Sequence, residues 1–360
     1  MAISFELLPE ELDLRNPAFV GAFMGFADAS IGASGAVRYL VETLHAAPLA
    51  TWDGDEFYDF AELRPVSRVV PPRDRALIWP EAEFWVVREV PGVPGGMGAG
   101  GAGEAAPGRS LILFLAHEPR LKWKTYSREL AELAQRCGVT QAVFFGSAFA
   151  DIPHTRPPII TGWATEPRLR TRLEALGVPF SAYQGPSSIQ SAAIEAFRQR
   201  GIACASLFSN GPHYLPVPNA NLSLALLRRL VAVLHIHVDL ASLEEAGQTL
   251  VRQATTAMDE RPEFREHVRQ LEAQFDEQAA PLAPGEVRRQ EERRAQEERS
   301  GPLNVDPQDV VRELEDFLRK RGREQRGSAG PEPEDEGPGG PTDPGGTGGP
   351  PTPGGEPEQG

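Results

Sequence analysis

From Ala18 to about Leu240, short apolar runs alternate with segments in which apolar residues recur at helical spacing. The runs Ala18–Phe23, Phe84–Arg88, Ser110–Ala116, Ala142–Gly146, Ile159–Gly162 and Ile202–Phe208 predict strands. The segments Ala36–Ala47, Lys124–Cys137, Glu166–Leu176, Ser187–Arg200 and Asn221–Leu234 predict helices. Strands alternating with helices build a sheet covered on both faces, so the pattern predicts an α/β three-layer sandwich around a mostly parallel sheet. Ser110–Ala116, Lys124–Cys137 and Ala142–Gly146 form its clearest strand–helix–strand unit. Pro91–Gly108, rich in Gly, Ala and Pro, predicts a flexible loop between two strands. It lacks the Gly-Lys-Ser/Thr ending of a phosphate-cradling loop.

Beyond Leu240 the pattern is helical throughout. Ser242 and Glu245 have capping-box spacing ahead of a helix that runs to about Met258. Pro262 opens a second helix with Phe264, Val268, Leu271 and Phe275 on one face, so the two predict a helical hairpin. Glu286–Arg299 alternates charges with almost no apolar face. Asp306 and Pro307 then open a helix whose stripe is Val310, Val311, Leu314, Phe317 and Leu318, with Gly322 ending it. Of the thirty residues from Pro331, nineteen are Pro or Gly and none is large and apolar, which predicts a disordered tail. The organisation is thus an α/β domain over 1–240, a hairpin appendage over 241–280, a charged helical region over 281–326 and a tail over 327–360.

Composition narrows the classes. A net charge of −15 disfavours nucleic acid, which is held by Lys and Arg. No apolar run reaches the roughly 18 residues of a membrane span, and Met1–Glu10 does not pattern as a signal peptide. With Cys137 and Cys204 as the only cysteines, the expectation is a reducing, cytoplasmic setting.

Candidate chemistry gathers at strand-to-helix corners, where ligands of open α/β sheets lie. In Gly25–Ser34, backbone N–H groups at a helix start suit an anion, or Ser30 simply caps the helix; the glycine spacing is not a dinucleotide fingerprint. The Pro-stiffened loop Gly146–Pro157 concentrates Asp151, His154 and Arg156. There His154 suits an acid or base, Asp151 its orienter and Arg156 an anion clamp, while a structural loop would tie the same groups to backbone and to one another. His213 and Tyr214 follow another strand and either complete that cleft or close a Pro-rich loop; Glu118 sits where it would favour the N-terminus of the following helix. His235 and His237 alone are a weak metal signal, and nothing in the chain calls for a cofactor or a metal.

Taken in order, several segments resemble one family. They are Phe23–Ser34, Tyr58-Asp59-Phe60 with Arg64-Pro65, Ile78-Trp79-Pro80, and His117-Glu118-Pro119 leading to Trp123. Asp151–Pro157, Tyr183–Pro186 and Pro212-His213-Tyr214 with Pro218-Asn219 complete the set. From about Asp13 to Phe275 the chain is similar to the proteasome assembly chaperone 2 family in its actinobacterial form. The resemblance implies a phosphorylase/hydrolase-like sheet domain, a small helical appendage, self-association into a trimer and a role in macromolecular assembly, by analogy with the eukaryotic and archaeal chaperones of the 20S core particle. Some relatives dock through a C-terminal hydrophobic-Tyr-x ending; this sequence ends Glu356–Gly360, so that mode is not expected.

Two function classes follow. One is a non-enzymatic assembly factor with a protein partner, possibly proteasome subunits. The other is an enzyme or small-ligand binder that gathers Asp28, Asp151, His154, Arg156 and His213 around one cleft. A third possibility places function in the Val310–Leu318 stripe and the tail.

Overall fold

The computed structural model describes residues 3–5, 12–71, 74–93, 107–181, 183–259 and 261–279. Most of the Pro91–Gly108 insert, the 306–321 helix with its apolar stripe, the charged region and the tail lie outside the described residues.

The strands are β1 (Ile3–Phe5), β2 (Ala18–Met24), β3 (Ala47–Asp53), β4 (Val66–Val70), β5 (Asp74–Ile78), β6 (Glu81–Val90), β7 (Arg109–His117), β8 (Gln141–Ala150), β9 (Ile159–Ala164) and β10 (Ala203–Pro212). Among the described residues the α-helices are α1 (Gly32–Thr43), α2 (Trp123–Arg136), α3 (Pro167–Ala175), α4 (Ile189–Gln199), α5 (Ala220–Leu234), α6 (Ala241–Asp259) and α7 (Pro262–Ala279).

Eight strands make one sheet in the order β1-β3-β6-β7-β2-β8-β10-β9. Its centre, β7-β2-β8-β10, is parallel, and the flanking pairs are antiparallel. Five strands therefore run one way and three the other. Connection β7–α2–β8 steps over β2, as a parallel crossover must step over or beside its neighbour.

The central strands alternate between two cores, because successive side chains leave a sheet on opposite faces. Ala18, Val20 and Ala22 of β2 pack with Leu111, Leu113 and Leu115 of β7 against α1, α3 and α5. Phe19 and Phe23 face α2 and α4 together with Phe114, Phe144 and Phe197. Ring centroids within this aromatic group lie 5.0 to 6.5 Å apart, in edge, tilted and stacked pairs. Gly21 sits between the two phenylalanines because a methyl there would approach Phe19 to 2.8 Å and Phe114 to 2.9 Å. The result is the three-layer sandwich expected from the alternating pattern.

The chain from Met1 to Ala280 is one compact unit that includes the hairpin helices. Two capping details differ from the sequence reading. Helix α6 is capped by Asp239, whose carboxylate accepts the Ala241 N–H at 2.9 Å, while Ser242 pairs with the Tyr39 hydroxyl at 2.8 Å. At α1 the cap is Asp28 and not Ser30, whose hydroxyl donates to the Leu215 carbonyl instead.

Candidate functional site

Loop β2–α1 leaves the sheet at the C-terminal end of its middle strand, and its backbone is stitched to β8. Ser147 donates its N–H to the Ala27 carbonyl and its hydroxyl to the Ala29 carbonyl, both at 2.8 Å. The stitch leaves Ser30 and Ile31 with φ of 52° and 56°, a left-handed pair immediately before the helix. Asp28 turns back onto that helix start. Its Oδ1 accepts the Ala33 and Ser34 N–H groups at 3.0 Å, and its Oδ2 accepts the Ser34 hydroxyl at 2.6 Å. An anion does sit at this helix N-terminus, and it is the chain's own carboxylate. Burial pushes the Asp28 carboxyl up from its usual range despite these bonds.

The Asp151–Arg156 loop and His213 come together on the hairpin. His154 is buried; its backbone N–H donates to the Tyr214 hydroxyl and its Nδ1 lies 2.8 Å from the same oxygen. Its Nε2 meets Thr255 Oγ1 of α6 at 3.1 Å. Thr255 gives its own proton to the Val251 carbonyl at 2.8 Å, so it must accept from Nε2–H, and Tyr214 then donates to Nδ1. The network thereby fixes the ring proton on Nε2 and ties α6 to the loop.

Arg156 makes the same kind of tie to α7. Its Nε and Nη2 donate to the two carboxylate oxygens of Asp276 at 2.8 and 2.7 Å, and its Nη1 reaches Glu272 at 3.2 Å. This fork holds the guanidinium above its ordinary pKa, the Asp276 bonds contributing most, and holds Asp276 below its own. Thr155 donates to Glu272 as well. His213 stacks edge-on between Tyr214 and His267 of α7, with centroids 5.7 and 5.9 Å away, and its Nδ1 meets Asp151 Oδ1 at 3.0 Å. The Asp151 side chain is largely exposed, so this pair contributes little.

Three of the five sequence candidates, His154, Arg156 and His213, are thus tied to the hairpin, and Asp151 joins the group through His213. Asp28 is not in the group; it is occupied by its capping bonds. Contact with α6 or α7 holds His154, Arg156 and His213, and Asp151 is held only through His213. The cavity inside the group, lined by Ile152, His154, Arg156, Asn219 and Leu250, is about 10 Å³, which is at most room for one water.

Other sequence candidates are also structural. Glu118 Oε1 accepts the Ile189 N–H at 2.8 Å, so it caps α4 and not the helix that follows it. Neither cysteine is joined in a disulfide and both are buried, and burial pushes the Cys204 thiol up to about 12. His235 ends α5 in a left-handed conformation and abuts Arg172. Among the described residues no group of His, Cys, Asp and Glu has the makings of a metal site. Sequence reasoning missed Thr255, Glu272 and Asp276, the hairpin's side of the contacts. Glu272 and Asp276 are four apart, at helical spacing that puts both on one face; that spacing was the available signal.

These features define a class: an α/β sheet protein whose reactive-looking corner residues clamp a C-terminal helical hairpin. The chain belongs to the PAC2 family, whose model matches residues 22–258. A PAC2 family protein of Streptomyces avermitilis is 30% identical, with TM-score 0.60, over 70% of this chain and 99% of its own. A proteasome-assembly chaperone homologue of Mycobacterium tuberculosis is also 30% identical, with TM-score 0.59 and the same coverage. An archaeal proteasome activator of Pyrococcus furiosus, 15% identical with TM-score 0.52 over 71% of this chain and 98% of its own, shares the fold. No curated protein matches the chain.

Proposed function

We propose that this protein is a non-enzymatic assembly factor that binds proteasome core-particle subunits and acts as a homo-oligomer, a trimer, in the cytoplasm. The observation that carries this reading is the occupation of the catalytic-looking groups. Both ring nitrogens of His154 are engaged, Arg156 is forked onto Asp276, and Asp28 accepts three capping bonds. A general base needs a free lone pair within reach of a substrate proton, and a clamp needs free donors; here those atoms hold helices.

Membership of the PAC2 family and likeness to a proteasome-assembly chaperone homologue supply the direction. The surface supports it. Phe26, Ile31, Phe149 and Val217 are exposed at or beyond the ends of β2, β8 and β10. Ribbon β4–β5 has neither face covered and exposes Val66, Val69, Leu77 and Ile78, with Trp79 just beyond. Exposed apolar groupings of this kind mark protein contacts.

Crosslinking and co-purification from the cell that naturally makes the protein test the reading. Recovery of proteasome subunits is expected. Their absence after crosslinking, with other stable partners recovered, contradicts it.

A further inference from the structure

Ribbon β4–β5 leaves the body between the end of β3 and the start of β6. Glu83 of β6 lies opposite Leu115 of β7, so this is the end of the sheet at which the parallel strands β2, β7, β8 and β10 finish. All five residues of β4 and all five of β5 are exposed. Their register puts Val66, Val70, Ile78 and Arg68 on one face of the ribbon, and Val69, Leu77 and Arg75 on the other. Each face thus carries an apolar strip and one arginine. A two-stranded hairpin is marginal in water unless something packs against it, and its own chain covers neither face.

The same end of the chain carries a complementary surface. Phe26, Leu121, Phe149 and Val217 are exposed at or just beyond the ends of β2, β7, β8 and β10. The end of β3 and the turn after it expose Asp53, Asp55 and Asp59. Glu56 and Glu62 of that turn are taken by Lys122 and Arg120. Among the described residues, however, none of the three aspartates is in an ion pair, and neither is Arg64, Arg68 or Arg75. Arg75 meets only the Ser67 hydroxyl, at 3.4 Å. An apolar arm with unpaired arginines beside an apolar surface with unpaired aspartates is complementary to a copy of itself. A client would have to bring an acidic, apolar face that every copy of this chain already has.

We propose that a second copy of this chain covers the ribbon. The apolar strips pack on the neighbour's exposed residues at the strand ends, and Arg68 and Arg75 pair with its Asp55 and Asp59. Arm and landing surface lie at one end of the molecule, so copies that meet there satisfy each other's ribbons in a closed assembly. The inference rests on the homo-oligomer reading above and names the element that makes the contact.

Light scattering on size-exclusion fractions of the full chain, over a series of dilutions, reads the mass. Wild type should be an oligomer. Val69→Asp with Leu77→Asp places carboxylates in one apolar strip and should raise the dissociation constant about thirtyfold or more. Both positions are exposed in the single chain, so the circular dichroism of this variant should match wild type. Arg68→Glu with Arg75→Glu should also weaken association, and adding Asp55→Arg and Asp59→Arg to the same chain should restore it. Weakening without that recovery removes the arginine–aspartate pairing. An oligomeric wild type whose mass no variant changes overturns the assignment of the ribbon and leaves the homo-oligomer reading standing; a monomeric wild type overturns both. A ribbon protected from hydrogen exchange only when proteasome subunits are added belongs to a client, and that result overturns the proposal as well.

Discussion

Replacing His154 by alanine separates a hairpin clamp from a catalytic base. The substitution removes the hydrogen bonds to Tyr214 and to Thr255 and leaves two hydroxyls at a half-buried junction short of a partner. Each such loss costs about 1 kcal/mol and the lost packing of a buried ring about another, so roughly 3 kcal/mol in all. These contacts join α6 to the loop after β8, so the loss falls first on local opening of α6 and α7. Backbone exchange there should quicken about a hundredfold, since ~1.4 kcal/mol is tenfold in an equilibrium. Amides of β2, β7 and β8 should change far less. If global unfolding begins at the hairpin, the unfolding temperature should drop by roughly 6–12 °C at ~2–4 °C per kcal/mol. Glutamine should recover part of this, since its amide reaches toward Thr255 as Nε2 does. Hydrogen exchange read by mass spectrometry is the assay. Unchanged exchange in α6 and α7 would refute the clamp, as would a metabolite turnover that the alanine variant abolishes.

Four further outcomes follow from the same structure. Asp28→Ala should destabilise the protein by about 1–2 kcal/mol, the worth of an N-cap, in urea titration; a change within error would remove Asp28 as the cap of α1. Gly32→Ala should cost about 1–3 kcal/mol by overpacking, because the added methyl would lie 2.8 Å from Leu222 Cβ and 2.9 Å from Ser147. His117 is held below its ordinary pKa by burial and by Arg38, so the folded state binds fewer protons than the unfolded one. Its contribution is present above about 6.5, the unfolded value, and is lost as pH falls through the lower folded value; thermal scans from neutral to acidic pH should show a shallower decline for His117→Gln. Thiol titration should find Cys204 unreactive in the native protein and both cysteines reactive in guanidinium, since burial keeps the Cys204 thiol at about 12.

The fold was legible where burial forces periodicity. The fully buried runs of β2, β7, β8 and β10 and the amphipathic helices α2, α4 and α5 match the sequence pattern within a few residues. Strands β3, β4 and β5 escaped notice for physical reasons. Strand β3 carries Pro48 and a register shift at the same place, and both faces of β4–β5 are exposed, so no alternation is imposed.

At the site, sequence located the chemistry-bearing side chains but not their partners. The alternative that Asp151, His154 and Arg156 belong to a structural loop was visible in their identity. That α6 and α7 provide the counter-groups was not, because it rests on contacts about a hundred residues apart. Ser30 and Ser242 were reasonable caps by type. Asp28 and Asp239 displaced them because the left-handed turn at Ser30 and Ile31, and the hydroxyl pairing with Tyr39, aim those serines elsewhere.

The central claim is that the corners of this sheet hold a scaffold for protein contact. A reconstitution of proteasome core particles from purified subunits of the same organism, with and without this protein, measures that most directly. Faster assembly, or a protein-bound intermediate that the hairpin-weakened His154→Ala variant forms poorly, is the predicted result. Identical assembly kinetics, with no association between this protein and any subunit or intermediate, would contradict it.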